Sequence, residues 1–266
     1  AARRPHLVQI EDEPTTVAAR QVLNAARRLG IPVVLLTHHN VDLQLDWWLR
    51  WKYRRLLKKL TGLVAGSDLA GTLARQDAPS LPIAVIPQLG AIAPHEPQHV
   101  PHEGLAIGFV GRLVPQKGLD NLLQALAIQR SAKWRLTIVG DGPERERLEQ
   151  LSSELRLAAR VRWTGGLPAE QVANLWPDWD VLVMPSRASP EWGESNGQIL
   201  MEAMANEVAV VGTDSGVLPE LIGDAGVVVP DGDLPGLAAA LERLGDVTTR
   251  RTLAQAARAR ALRLYS

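Results

Sequence analysis

Two cations stand five residues apart in the run Gly108-Phe109-Val110-Gly111-Arg112-Leu113-Val114-Pro115-Gln116-Lys117-Gly118. The apolar residues up to Val110 read as a strand, Gly111 permits a sharp turn, and a helix is expected to begin near Gly118. Arg112 and Lys117 then lie on the loop beyond the strand's carboxyl end. Free amides at a helix start, the helix dipole and two cations together suit a diphosphate. Taken alone, the segment also reads as a solvated loop with two surface charges.

A second run, from Pro185 to Gln198, follows another apolar stretch and leads into a helical one. Asn196 and Gly197 would let an anion come close to that helix start, because glycine has no Cβ. Glu194 just before the helix and Glu202 within it are carboxylates on different elements, able to reach one cleft. Carboxylates suit sugar and ribose hydroxyls. Singly, Glu194 reads as well as a helix-start carboxylate, and Glu202 as an exposed helical charge.

Such loops need a scaffold. Short apolar runs recur at Leu7–Ile10, Val33–Leu36, Leu63–Ala65, Ile83–Ile86, Ala106–Val110, Leu136–Val139, Val161–Trp163, Val181–Met184, Val208–Val211 and Val227–Val229. Amphipathic stretches separate most of them, as at Thr15–Leu29, Leu119–Gln129, Glu144–Leu155 and Gly197–Ala205. Strands alternating with helices predict an α/β fold with parallel sheets covered on both faces. The stretch from Pro94 to Gly104 is rich in Pro, His and Glu, lacks an apolar period and reads as a linker. Residues 1–95 and 105–266 are therefore expected as two α/β domains, joined by 96–104.

Ligands of open parallel sheets bind beyond the carboxyl ends of the strands. That rule discounts Asp178-Trp179-Asp180, a metal-binding spelling in other proteins, because it precedes its strand. His95, His99 and His102 lie in the expected linker without a fixed scaffold, so no metal site is expected. Gly140-Asp141-Gly142-Pro143 reads as a strand–helix turn first and a ligand contact second.

Composition bounds the partners. The chain has 266 residues, 46% hydrophobic and 22% charged, with a formal net charge of zero. That balance allows a sizeable core and supplies no global field for nucleic acid. There is no cysteine, which fits a reducing, cytoplasmic setting. No signal peptide and no apolar run near the length of a membrane span is present. The sequence begins Ala1-Ala2-Arg3-Arg4 almost directly ahead of a strand, which reads as the start of a fragment.

Together the two loops resemble the large retaining GT-B glycosyltransferase family often called GT4. Its pattern of Gly-Arg, a few residues, then Lys-Gly is matched by Gly111-Arg112 and Lys117-Gly118. Its E-x7-E motif is matched by Glu194 and Glu202 inside PSRASPEWGESNGQILMEAMA. IVGDGPERERLE, WTGGLPAEQVANLWPDWDVLVMPS and TDSGVLPELIGDAGVVVPDGD follow in the family's order. The likeness covers the whole second domain and runs more weakly through Leu7–Gln88.

The resemblance implies a GT-B fold of two Rossmann-like domains, the N-terminal one incomplete. It implies transfer of a sugar, with retention, from a UDP- or GDP-sugar to a glycan, lipid or small-molecule acceptor, without metal or other cofactor. Arg112 and Lys117 would neutralise the diphosphate leaving group, Glu202 would hold the ribose hydroxyls, and Glu194 would contact the donor sugar. The backbone at Asn196–Gly197 would meet phosphate or sugar. Gly165–Leu167, with Gly165 and Leu167 at its ends, would flank the base together with Pro185–Ser186. His38 or His39 matches a position near the transferred sugar, and His39 is taken as the site residue. Against the family pattern the chain reads as truncated at both ends, which puts turnover by these residues alone in question. After the E-x7-E helix the family has Gly and then Pro, where this chain has Glu207 and Ala209; Asn206 is expected to take the left-handed helix-end position instead.

Two rival readings remain: a nucleotide-sugar-binding fragment without turnover, and another GT-B enzyme such as a nucleotide-sugar epimerase or a phosphorylase. A phosphorylase needs a cofactor lysine in its second domain, where Lys117 and Lys133 are the only lysines. Finally, Asp46 to Leu60 predicts a helix. At about 100° per residue, Leu49, Tyr53, Leu56, Leu57 and Leu60 share one side. Trp47, Trp48 and Trp51 fall opposite, among Lys52, Arg55, Lys58 and Lys59. That composition suits peripheral contact with the inner face of a membrane, and equally packing against further protein or contact with acceptor.

Overall fold

The computed structural model describes residues 4–13, 16–38, 40, 46–87, 90–129, 133–189, 192–195 and 197–265. The chain divides into two compact units. Ala1–Gln88 and Ser189–Asn196 form the first, and Leu89–Ala188 with Gly197–Ser266 the second.

In the first unit the elements are β1 (Val8–Glu11), α1 (Val17–Arg28), β2 (Val33–Thr37), α2 (Trp47–Leu57), β3 (Gly62–Ala65), α3 (Asp68–Asp77) and β4 (Ile83–Val85). The strands form one parallel sheet in the order β1-β2-β3-β4. Leu23, Val33, Leu35, Leu57 and Leu63 anchor its core. Thr16 caps α1 by accepting the Ala19 amide at 3.1 Å, and Ser67 caps α3 through Ala70 at the same distance. On α2, Leu57 is buried and Tyr53 and Leu56 pack against the core, with Leu60 buried just beyond the helix end. Leu49, expected on the packed side, is exposed, because the core cluster reaches along this helix only as far as Tyr53. Trp47 is 85% exposed, and Trp48 and Trp51 are exposed as well.

The second unit contains β5 (Leu105–Val110), α4 (Leu119–Ile128), β6 (Trp134–Val139), α5 (Arg145–Glu154), β7 (Val161–Gly165), α6 (Ala169–Ala173), β8 (Val181–Met184), α7 (Gln198–Ala205), β9 (Ala209–Thr213), α8 (Leu218–Ile222), β10 (Val227–Val229), α9 (Leu234–Leu244) and α10 (Val247–Leu264). Its sheet is parallel, in the order β10-β9-β8-β5-β6-β7. One core cluster, around Phe109, Leu122, Leu136 and Leu241, lies on one side. A second cluster contains Trp176, Trp179, Met204 and Ile222. The continuous apolar runs of β5, β8 and β9 follow from this cover on both faces.

The Pro- and His-rich stretch is bonded to the second unit. The Val100 amide donates to Pro177 at 2.9 Å, Arg258 donates to the Pro94 carbonyl at 2.7 Å, and His102 Nε2 lies 3.3 Å from Asp180. Asp180 also accepts the Ala106 amide at 2.8 Å and pairs with Arg250 at 3.1 Å, at the amino ends of β5 and β8.

One helix end differs from expectation. The left-handed residue after α7 is Glu207, at φ 58°, while Asn206 has φ −90°. The Val208 amide bonds to Ala203 at 3.0 Å and the Glu207 amide to Met204 at 3.1 Å. This is the reciprocal pair that closes a helix through a left-handed residue one place beyond the cap. Asn206 instead serves as the cap, its side chain donating back to the Glu202 carbonyl at 2.9 Å. Among the described residues no helix is long and apolar enough to cross a membrane.

Candidate functional site

In the second sheet β6 and β7 lie on one side of β5, and β8, β9 and β10 on the other. The strand order therefore reverses between β5 and β8. A crevice opens outside the carboxyl ends of an open parallel sheet at such a reversal. Arg112 and Lys117 follow β5, and the run from Pro185 follows β8.

The loops at this edge are fixed to one another through backbone. The Gly111 amide donates to Val139 at 3.0 Å, Gly140 to Gly165 at 2.8 Å, Leu113 to Asp141 at 2.9 Å and Arg187 to Gln116 at 2.8 Å. Gly118 takes φ 61°, and a Cβ there would run into the Pro185 carbonyl. The short 3-10 turn Pro115–Lys117 therefore presses against the loop after β8 only because residue 118 is glycine. Arg112 is exposed and forms no ion pair among the described residues. Lys117 is half-buried at the end of the turn, separated from α4 by Gly118 alone.

Beyond β8, Ser186 is buried and its carbonyl accepts the Thr213 hydroxyl. Ser215 Oγ donates to the Arg187 carbonyl at 2.7 Å. Arg187 reaches Asp120 at 2.8 Å and Asn121 at 3.1 Å, in the first turn of α4. Arg147 lies 3.6 Å from the same Asp120 carboxylate. Sequence reading missed Arg187, Asp120 and Ser215, since only the fold shows which loop faces which. The cap residue of α7, Gly197, has no side chain to bond the helix start, and the first turn of α7 holds no acid. Gly197, buried before it, fits against Leu221 of α8, which a Cβ would strike. Glu202 accepts Gln198 Nε2 at 3.0 Å on the same helix.

In the second unit, then, Arg112, Lys117, Leu167 and Gly197 follow strands at the carboxyl edge, Gly165 is the last residue of β7, and Glu202 lies one turn into α7. Glu194 belongs to the first unit. There Asn40 Nδ2 donates to the carbonyls of Glu194 at 3.4 Å and Ser195 at 3.3 Å, while Asn40 Oδ1 accepts Ser67 Oγ at 2.8 Å. Glu194 is 5% exposed. Glu13 accepts the Thr37 hydroxyl at 2.8 Å and the His38 amide at 3.2 Å, and the His38 imidazole lies over Gly66. Burial first, then the Glu13 and Asp77 carboxylates, push the Tyr53 phenol well above its usual range. Glu13 and Asn40 were not singled out from sequence. His39 and Asn196, both expected at the site, lie outside the described residues.

Both units are Rossmann-like, with helices between parallel strands, and this is a GT-B fold. Sucrose-phosphate synthase from Thermosynechococcus elongatus superposes with a TM-score of 0.81 at 23% identity, over 98% of this chain and 70% of that one. Anabaena HepE in complex with UDP and glucose gives 0.81 at 21% identity, over 98% and 74%. In sequence, the phosphatidyl-myo-inositol mannosyltransferase of Mycolicibacterium smegmatis is 36% identical over 193 residues, 69% of this chain and 48% of its own length. The family description "Glycosyl transferases group 1" matches residues 94–260, and the chain belongs to that family. It spans 16% to 63% of the length of the curated relatives it matches.

Proposed function

We propose that this chain holds a UDP- or GDP-sugar through its diphosphate and serves the transfer of that sugar, with retention, to a glycan, lipid or small-molecule acceptor. The observation that carries the reading is the pair Arg112 and Lys117 at the strand-order reversal between β5 and β8. The start of α7 belongs to the same carboxyl edge. As the sugar–phosphate bond breaks, charge gathers on the diphosphate, and fixed cations and helix amides stabilise it there without a metal ion. Glu202 binds ribose hydroxyls, Glu194 contacts the donor sugar, and Gly165–Leu167 flanks the base. His39 and Asn196 complete the set of sugar and phosphate contacts. A relative whose name specifies GDP-mannose and a similar fold solved with UDP support a pyrimidine or guanine diphosphate as donor carrier.

Calorimetry of UDP, GDP and ADP against the chain in excess EDTA tests this. Binding of UDP or GDP at one site, unchanged by EDTA, is the expected result. Failure of all three to bind, or affinity restored only by Mg²⁺ or Mn²⁺, contradicts it.

A second reading concerns place. We infer peripheral contact with the cytoplasmic face of a membrane through Trp47, Trp48 and Trp51, favoured by the exposure of all three indoles. Lys52 lies 4.2 Å over the Trp48 ring and Arg55 5.3 Å over that of Trp51, which puts a cation beside each of these two indoles. Indoles flanked by cations suit the headgroup level of anionic lipid.

A further inference from the structure

The face of β6 and β7 next to Trp179 carries an unusual row of side chains. Pairing sets Arg162 of β7 beside Thr137 of β6, and Arg135 lies two residues earlier on the same face. Arg135 and Arg162 are thus diagonal neighbours, within reach of one another for side chains of this length. Both are exposed. Arg160, directly before β7, is held at the rim by its Nε bond to the Trp134 carbonyl at 3.1 Å and its guanidinium 3.8 Å over the Trp134 ring. These three arginines line a recess of about 410 Å³ in which Asp178 is the one carboxylate among the described residues. Arg135 meets the Asp178 residue through its carbonyl, at 3.5 Å, rather than through its carboxylate. Trp179 and Leu175 supply an apolar wall.

Like charges side by side on a sheet face are destabilising. Arg135 and Arg162 beside the Thr137 hydroxyl, with Asp178 the one carboxylate in the lining, form a recess complementary to a small dianion. Guanidinium forks match phosphate oxygens in pairs, and the wall accommodates carbon. The volume is within the range of small-ligand sites. The recess lies in the amino-terminal half of the strands. The length of β6, roughly 17 Å at 3.3 Å per residue, separates that end from the loop edge that bears Arg112.

We propose that this recess is a second anion site, which binds a small phosphate-bearing ligand through Arg135, Arg162 and the Thr137 hydroxyl. It is independent of the diphosphate site. Free phosphate and a sugar phosphate monoester share the recognised group, and the apolar wall favours the ester.

The test is a titration of the full chain with inorganic phosphate and, separately, glucose 1-phosphate, read from the arginine Nε–H signals by NMR. An Arg112→Ala/Lys117→Ala background removes both cations of the diphosphate loop, so failure of the proposed function leaves this measurement intact. Both probes should move the Arg135 and Arg162 signals in that background, and the ester should bind more tightly. Arg135→Gln/Arg162→Gln should weaken the ester by about tenfold or more, as expected for loss of charge-assisted bonds. Equal binding of the two probes would assign the site to free phosphate. Absence of any shift at millimolar probe, or undiminished affinity in the Arg135/Arg162 double variant, would overturn the proposal.

Discussion

The amide of Arg187 donates to the carbonyl of Gln116 at 2.8 Å, joining the loop after β8 to the loop after β5. Gly118 makes that approach possible, since its φ is 61° and a Cβ would meet the Pro185 carbonyl. Gly118→Ala should therefore cost about 2 kcal/mol or more, from left-handed strain together with a backbone collision. Urea unfolding measures this, and the same variant should bind nucleotide more weakly. An unchanged midpoint would show that the loops can part without cost.

The opposite substitution is available at the end of α7. Glu207 occupies a left-handed conformation that a Cβ disfavours. Glu207→Gly should stabilise the chain by about 1 kcal/mol. A lower unfolding midpoint in the variant would mean that the Glu207 side chain contributes more than its backbone strain costs.

Asp246 makes stability depend on pH at α10. Its Oδ1 accepts the Thr249 amide at 2.8 Å, and this bond, ahead of the Arg250 charge, lowers its pKa below the ordinary carboxylate value. A depressed folded-state pKa means that the stabilisation is complete above the unfolded value, about 3.9. It is lost as pH falls through the depressed one. Asp246→Asn should narrow the pH dependence of thermal unfolding in the acid limb. Identical acid limbs for the two proteins would remove Asp246 as a cause.

Among the described residues all ten strands coincide with short apolar runs, and β5, β8 and β9 are the plainest, because burial on both faces removes their polar alternation. Arg112 and Lys117 are legible for the same reason: the run that ends at Val110 marks a strand end, and cations beyond it fall at the binding edge. What could not be read depends on distant partners. Arg187 meets Asp120 across 67 residues of chain, and Asn40 meets Glu194 across 154. Residue preference alone places the left-handed position at Asn206, whereas the 6→1 bond from Val208 to Ala203 sets it at Glu207. Helical periodicity put Leu49 with Tyr53, but could not show where the core beneath the helix ends.

The indoles of α2 give a separate prediction. The chain should co-sediment with anionic vesicles at low salt and be released as salt screens its cations. Replacing Trp47, Trp48 and Trp51 by Ala together should abolish co-sedimentation while leaving the fold intact, since these indoles are exposed. Wild-type chain that stays in the supernatant with anionic vesicles would rule out lipid contact at this helix.

The central claim is that Arg112 holds the diphosphate. Charge-assisted hydrogen bonds contribute about 1.5–3 kcal/mol, so Arg112→Ala should weaken nucleoside-diphosphate binding about tenfold to a hundredfold. Glu202→Ala should weaken UDP or GDP but leave pyrophosphate, which has no ribose, unchanged. Calorimetric titration of the best-bound nucleotide into wild type and Arg112→Ala is the direct measurement. The account predicts a dissociation constant higher by at least about tenfold in the variant, and equal constants for the two proteins would contradict it.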